Sequence, residues 1–121
     1  KYFLIVLIIL PSSCFYAERE CDKFHFGDFQ FTYNLNGEKL MSRFQRKDGF
    51  EIENFNGKID SSKIKWISNC EFILTKLNPL TNQEKRPIKV KIISTTEDSY
   101  TFEYSLVGYS KETKRGVVEK L

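Results

Sequence analysis

Residues able to carry catalytic or metal chemistry are few in this chain. His25 is its single His, and its three Cys are Cys14, Cys21 and Cys70. A zinc site takes three or four His, Cys or carboxylate ligands at recognisable spacings, and a nucleophilic Cys needs a neighbouring base. The sequence has neither pattern, because His25 has no acidic partner at motif spacing. We therefore predict no metal, no cofactor and no catalytic residue, and we interpret His25 as a strand residue.

Glu51 and Glu53 are the other candidates, since paired carboxylates can act as general acid and base. They share one face of a predicted strand and lie between Lys47 and Lys58. Acidic residues flanked by Lys in this way are typical of a solvated outer face. No phosphate-binding loop, dinucleotide fingerprint or nucleophile elbow accompanies them. We predict that the chain is not an enzyme and has no cleft with convergent polar groups.

The start of the chain is typical of a secretory signal. Lys1 precedes an unbroken apolar run, residues 2–10, and small residues then lead to Cys14. A positive start, a short apolar run and a small-residue exit define such a signal. The run is shorter than the roughly 20 residues that span a bilayer. We assign residues 1–17 to a leader and residues 21–121 to a single domain.

Two cleavage positions are compatible with this leader. Cleavage before Cys14 resembles the bacterial lipoprotein pattern, in which that Cys receives lipid. Cleavage after Ala17 would place Phe15 where a small residue is preferred, and Cys14 would then be the last apolar residue of a discarded leader. Lipidation of Cys14 leaves Cys21 and Cys70 as an even pair, which forms a disulfide in an oxidising compartment. We favour an exported lipoprotein, anchored to a membrane of the cell envelope or periplasm.

The rest of the chain alternates strand-like runs with turns, which is typical of an all-β sandwich or barrel. Two Asn-Gly pairs, at residues 36–37 and 56–57, indicate hairpins because both residue types tolerate positive φ. Gly27 stands where the apolar face of the first run, residues 24–33, changes parity, which predicts a β-bulge or a close approach to the backbone. The pattern predicts an antiparallel meander of seven or eight strands that forms a small barrel.

Residues 63–76 contain the single Trp and have a clear period of two. The apolar members that share one face are Ile64, Trp66, Cys70, Phe72 and Leu74. Either a three-residue hairpin loop, residues 67–69, or one long bent strand preserves this parity. We favour the loop, with Asn69 at positive φ and Trp66 paired with Cys70.

The aromatic residues can be interpreted in two ways. Those expected to face the barrel interior are Phe29, Phe31, Trp66, Phe72, Tyr100, Phe102 and Tyr104. They fill the barrel as a plain core, or they line a cavity that holds one small apolar ligand. The core is the default. If a ligand binds, the predicted contacts are Trp66, Phe72, Phe102 and Tyr104.

Charge argues against a nucleic-acid partner. The formal net charge is +3, from 19 basic and 16 acidic residues that are interspersed along the chain. Nucleic-acid binders usually carry a clustered basic patch, and this sequence has no such block.

Two motifs resemble a known family. The motif C-x-x-F-x-x-G-x-F begins at Cys21, and I-K-W-I-S-N-C-E-F-I-L occupies residues 64–74. Together they resemble a family of small uncharacterised bacterial envelope proteins and lipoproteins, some of them mislabelled DNA topoisomerase IV. That label does not fit, because a topoisomerase needs a catalytic Tyr in a large assembly that grips DNA. The F-x-x-G-x-F opening is also similar to the first strand of lipocalins, with Phe29 in place of their Trp, which implies a lipocalin-like or calycin-like barrel.

These predictions combine into one functional hypothesis. The chain is expected to be an exported, non-enzymatic binding protein of the bacterial cell envelope. Its partner is a small apolar ligand held in or at the mouth of the barrel. The alternative is a protein–protein interaction module, such as an inhibitor of a hydrolase in the envelope.

Overall fold

The computed structural model describes residues 19–109 and 111–121, and within them eight antiparallel strands form a closed barrel. The strands follow meander order, and the last returns to pair with the first. The predicted all-β meander barrel is confirmed. The predicted leader, residues 1–17, and Cys14 within it lie outside the described residues. The elements are a 3-10 helix (Asp22–Phe24), β1 (Gly27–Leu35), β2 (Glu38–Lys47), β3 (Phe50–Phe55), β4 (Lys58–Ser68), β5 (Glu71–Lys76), β6 (Ile88–Thr95), β7 (Ser99–Leu106) and β8 (Lys114–Lys120).

The hairpin turns set the order of the strands. Asn36 and Gly37 have φ angles of 52° and 79°, and the pair at 56–57 repeats this geometry with 50° and 80°. Positive φ at both central residues gives a turn whose twist matches that of the flanking strands. Both predicted hairpins are therefore present, and each places successive strands side by side.

The first apolar run differs from its prediction. Residues 22–24 form a 3-10 helix, and β1 begins only at Gly27, which has a φ of 123°. The parity change at Gly27 is the passage from helix to strand, so the predicted β-bulge was wrong, and His25 follows the helix instead of lying in a strand. The alternative, a close approach, is confirmed, because a Cβ added to Gly27 would lie 2.9 Å from Lys120 Cε. Phe24 is fully buried, whereas Phe26 is 67% exposed. The 3-10 helix thus packs the Phe24 ring into the core at this end of the barrel.

The turn between β4 and β5 was predicted correctly in kind and wrongly in register. Ser68 lies opposite Glu71 and Trp66 opposite Phe72, with a bulge between them on β4. The turn itself is formed by Asn69 and Cys70. Asn69 does not have a positive φ. The bulge absorbs one residue, so the apolar side chains stay on the inner face although Trp66 does not pair with Cys70.

The predicted disulfide is present. Cys21 and Cys70 are bonded with a Cα–Cα distance of 5.3 Å and a separation of 49 residues. The bond fastens the 3-10 helix to the β4–β5 turn at the same end of the barrel. The members of the buried core are Cys21, Phe24, Phe29, Ile64, Phe72, Val90, Ile92, Tyr100, Phe102 and Val118.

Within residues 19–109 and 111–121, no helix is both long enough and apolar enough to cross a bilayer.

Candidate ligand-binding cavity

The half of the barrel away from the 3-10 helix contains a cavity of about 500 Å³. Asn34 and Lys114 line it and are exposed, so the cavity reaches the surface at the end where β1 finishes and β8 begins. Most of its walls are apolar: Phe31, Tyr33, Phe44, Phe72, Leu74, Val90, Phe102, Tyr104 and Val118. The barrel is therefore closed at one end and hollow towards the other.

Arg46 forms the floor of this cavity. Arg46 is 3% exposed, because β2 directs its side chain into the barrel. Nε donates a hydrogen bond to Glu51 Oε1 at 3.0 Å, and Nη1 donates to the Phe24 carbonyl oxygen at 2.9 Å. Nη2 donates to the Tyr100 hydroxyl at 2.6 Å. One guanidinium thus joins the 3-10 helix, β3 and β7.

Aromatic rings surround the same guanidinium. Its central carbon lies between 4.7 and 5.8 Å from the centroids of the rings of Phe72, Phe29, Phe44, Tyr100 and Trp66. Ring faces attract a cation, and the attraction strengthens where water is excluded. The rings and the Glu51 carboxylate together offset the large cost of burying the charge. Arg46 is therefore the structural centre of the barrel.

The Tyr100 hydroxyl is held in its neutral form. Burial raises the pKa of Tyr100 to about 12, although the nearby Arg46 charge acts in the opposite direction. A hydroxyl that keeps its proton at neutral pH accepts the hydrogen bond from Arg46 without adding a negative charge to the floor.

Glu51 and Glu53 line the cavity, and their predicted place on a solvated outer face is wrong. Glu51 lies opposite Arg46 and Glu53 opposite Phe44 in the β2–β3 ladder, and both of those partners point inward. Successive residues of a strand alternate between faces, so Ile52 is the residue that faces solvent. The predicted lack of convergent polar groups is wrong for the same reason.

The two carboxylates differ in environment. The side chain of Glu51 is 14% exposed, and burial raises its pKa more than the Arg46 charge lowers it. Glu53 is more open to solvent, and its Oε1 accepts a hydrogen bond of 2.9 Å from the Ser42 hydroxyl. Among the described residues no Lys or Arg forms an ion pair with Glu53. Glu51 is thus part of the floor, and Glu53 is an acceptor on the wall.

Three of the four predicted ligand contacts meet at the cavity. Phe72, Phe102 and Tyr104 lie in its wall. Trp66 does not line it, because its ring is stacked on His25, with centroids 3.7 Å apart, towards the end closed by the disulfide. The stacking is supported by a 2.8 Å hydrogen bond between His25 Nε2 and the Asn69 carbonyl oxygen.

A smaller compartment of about 350 Å³ adjoins the first and shares Glu51, Glu53, Leu74 and Tyr104 with it. It lies beside the β5–β6 loop, residues 77–87. Lys76 holds this loop, with Nζ 3.2 Å from Asp60 Oδ2 and 3.0 Å from Glu84 Oε1. Burial alone would lower the pKa of Lys76, but the hydrogen bonds to these carboxylates raise it above its usual value.

The Glu84 carboxylate fixes the loop from its own side. It accepts hydrogen bonds from the backbone N–H groups of Leu80 and Thr81, and its own N–H donates to Thr81 Oγ1. The bond from Lys76 and those from the loop lower the pKa of Glu84. The loop is therefore a defined part of the mouth.

Sequence reasoning missed Ser42, Phe44 and Arg46 as residues of the site. All three have the same parity in β2 and point inward. The signal was present in Phe44, since a large aromatic residue in an otherwise polar run marks the inner face of a strand. Its parity would have placed Arg46 in the barrel, but a polar run gives no reason to bury an Arg.

Gly116 controls the width of the cavity. A Cβ added there would lie 2.7 Å from Phe102 Cζ and 2.8 Å from Phe31 Cε2. Both rings line the cavity, so we expect Gly116→Ala to push them into it at a cost of about 1 kcal/mol in the free energy of unfolding. Urea denaturation measures that cost. A loss above about 3 kcal/mol would show that the rings cannot yield.

Neither a metal site nor a known relative accompanies this cavity in the part of the chain that the structure describes. Among the described residues no group of three His, Cys, Asp or Glu side chains is arranged to hold a metal ion. Comparison with protein-family models, with curated proteins and with solved structures found no match. The resemblance to small bacterial envelope proteins and to lipocalins stays a prediction.

Proposed function

We propose that this chain is an exported, non-enzymatic binding protein of the bacterial cell envelope that holds a small, largely apolar ligand in the mouth of the barrel. The observation that carries the proposal is the aromatic-lined cavity of about 500 Å³. Small-molecule sites in proteins are typically about 300–1,000 Å³ and largely apolar, with a few polar groups that fix orientation. The cavity has that volume and that composition.

The state of the polar groups favours binding over catalysis. Each nitrogen of the Arg46 guanidinium already donates a hydrogen bond, and the buried Tyr100 hydroxyl holds its proton. A general acid or base has to exchange a proton with a substrate within hydrogen-bond reach. The groups of the floor are engaged with each other, so they are suited to closing the barrel beneath a ligand.

The proposed location in the envelope has two supports. The Cys21–Cys70 disulfide is of the kind that persists in oxidising compartments. Residues 1–17 have the pattern of a secretory signal, and lipid on Cys14 would anchor the domain to a membrane. Metabolic labelling with palmitate tests the anchor. Label that follows wild type and is lost in Cys14→Ala is expected, whereas an N-terminus that starts at Glu18 would exclude lipidation.

Ligand binding in the barrel is tested by NMR titration with decanol, an uncharged amphiphile. We expect the largest shift changes at Phe31, Phe102 and Tyr104 of the cavity wall. Gly116→Ala should weaken binding several-fold, because it drives two of those rings into the cavity. Val117→Ala is the matched control, since Val117 is exposed on the outer face of the same strand. Shift changes confined to the outer face would refute the proposal.

A second candidate function is a protein-binding module, such as an inhibitor of a hydrolase. The observation that favours it lies at the mouth, where Leu80 is 80% exposed and Tyr109 is 49% exposed. Arg86 stacks on Tyr109, with its guanidinium carbon 4.5 Å from the ring centroid. Exposed aromatic and Arg side chains are common anchors of protein interfaces. Loss of a partner on Tyr109→Ser, with decanol binding unchanged, would support this candidate.

A further inference from the structure

The charges of the cavity indicate the chemistry of its ligand, an inference that rests on the proposed function. The interior cations are already neutralised: Arg46 is paired with Glu51, and Lys76 with Asp60 and Glu84. Lys114 lines the cavity and Arg86 lines the smaller compartment, and both of these side chains are exposed. Within the part of the chain that the structure describes, a negatively charged ligand would therefore find a positive partner without a carboxylate neighbour only at these exposed positions.

The Glu53 carboxylate, in contrast to Arg46 and Lys76, forms no ion pair with another described residue. It lines both compartments, and its hydrogen bond from Ser42 is to one carboxylate oxygen. Glu51, two residues away, also faces the cavity and is hydrogen-bonded to Arg46 through Oε1. Carboxylates accept hydrogen bonds at both oxygens when ionised. The wall thus presents a carboxylate that has no ionic partner among the described residues.

Aromatic rings lie beside that carboxylate. Phe44 is directly opposite Glu53 in the β2–β3 ladder, and Phe31 is opposite Ser42 in the neighbouring β1–β2 ladder. Side chains that face each other across a ladder are in contact range, with Cβ atoms about 4.5–5.5 Å apart. A carboxylate with aromatic side chains within reach is the kind of arrangement that recognises organic ammonium groups, through an ion pair and cation–π attraction.

We propose that the ligand is a small cationic amphiphile, an amine with an apolar body. Its ammonium group lies against Glu53, where it takes the place of the missing ionic partner. Its apolar body fills the space between Phe44, Phe102 and Tyr104. Binding is non-covalent, and the charge of the ligand is what the site selects.

A series of three decyl compounds with different head groups tests the selection. Decylamine is protonated at neutral pH, decanol is uncharged and decanoate is negative, while the apolar chain is the same. We expect isothermal titration calorimetry, below the micelle concentration of each compound, to show decylamine binding about tenfold or more tighter than decanol, as a charge-assisted hydrogen bond provides. Decanoate should bind most weakly, because Glu53 repels it.

Glu53→Gln keeps the shape of the side chain and removes its charge. We expect this variant to bind decylamine and decanol with similar affinity, so that the preference of wild type for the amine is lost. Glu119→Gln is the matched control, because Glu119 is an exposed carboxylate on the outer face of β8. It should leave the preference for decylamine intact, which excludes adsorption of the amine to the general surface charge.

The outcomes separate this inference from the proposed function. If decanol or decanoate binds as tightly as decylamine, or if Glu53→Gln keeps the full preference, the cationic ligand is refuted while binding in the barrel stands. If none of the three compounds binds, both are refuted. A tenfold preference that disappears in Glu53→Gln and persists in Glu119→Gln supports both.

Discussion

Replacing Arg46 with Met is expected to lower the free energy of unfolding by about 3–5 kcal/mol. The change removes the partner of the buried Glu51 carboxylate and leaves the Phe24 carbonyl and the Tyr100 hydroxyl without their donor. Breaking a buried ion pair costs more than the pair contributes, since the remaining charge stays in a poorly solvated site. Urea denaturation followed by Trp66 fluorescence measures the loss.

The same variant should show a pH dependence with a defined sign. Burial already raises the pKa of Glu51 in the folded protein, and Arg46 is the neighbour that lowers it. In Arg46→Met the folded pKa rises further, so the native state holds its proton more tightly than the unfolded state. The free energy of unfolding then falls as pH increases from the ordinary pKa to the raised folded pKa. The loss should be larger at pH 7 than at pH 4.

Two further variants control this experiment. Arg43→Met alters an Arg of the same strand that is exposed, and it should change stability by less than about 0.5 kcal/mol. Glu51→Gln in the Arg46→Met background should remove most of the additional pH dependence, because the titrating group is gone. An Arg46→Met protein as stable as wild type at pH 7 would show that the guanidinium is not the structural centre of the barrel.

Removal of the Cys21–Cys70 disulfide is the second large effect. The bond joins residues 49 positions apart, and in the chain-entropy model closure of such a loop contributes about 4 kcal/mol. That is a large share of the 5–15 kcal/mol typical of small domains. We expect the double variant Cys21→Ala, Cys70→Ala to be destabilised by about 3–4 kcal/mol in urea denaturation.

Cys14→Ala is the control for the disulfide. Of the three Cys, Cys14 is the one outside the Cys21–Cys70 disulfide, so its replacement should not change the unfolding midpoint. Adding a reductant to wild type should reproduce the loss seen in the double variant. A double variant that unfolds within about 1 kcal/mol of wild type would show that the helix is held to the β4–β5 turn by packing alone.

The sequence was most informative where one residue type determines one backbone conformation. The Asn-Gly pairs at 36–37 and 56–57 both form the turns that were expected of them. The period of two in residues 63–76 placed Ile64 and Trp66 on the inner face of β4. These local signals are strong because they do not depend on distant parts of the chain, and together they were enough for the meander barrel.

It was least informative where tertiary contacts override the pattern. A 3-10 helix at residues 22–24 is stabilised by the disulfide and by the bond from Arg46 to the Phe24 carbonyl, neither of which a local pattern contains. The prediction also exchanged the inner and outer faces of β3, for a similar reason. Glu51 is directed inward by its place opposite Arg46, whereas hydrophobic alternation alone would bury Ile52.

The most direct test of the central claim is native mass spectrometry of the full protein, purified gently from the cells that produce it. A hollow barrel that carries a cationic amphiphile should appear with one small molecule bound, and collisional activation should release that molecule as a positive ion. Gly116→Ala should lower the bound fraction, while Val117→Ala should not. A spectrum with only the bare protein, or with a protein partner and no small molecule, would contradict the claim.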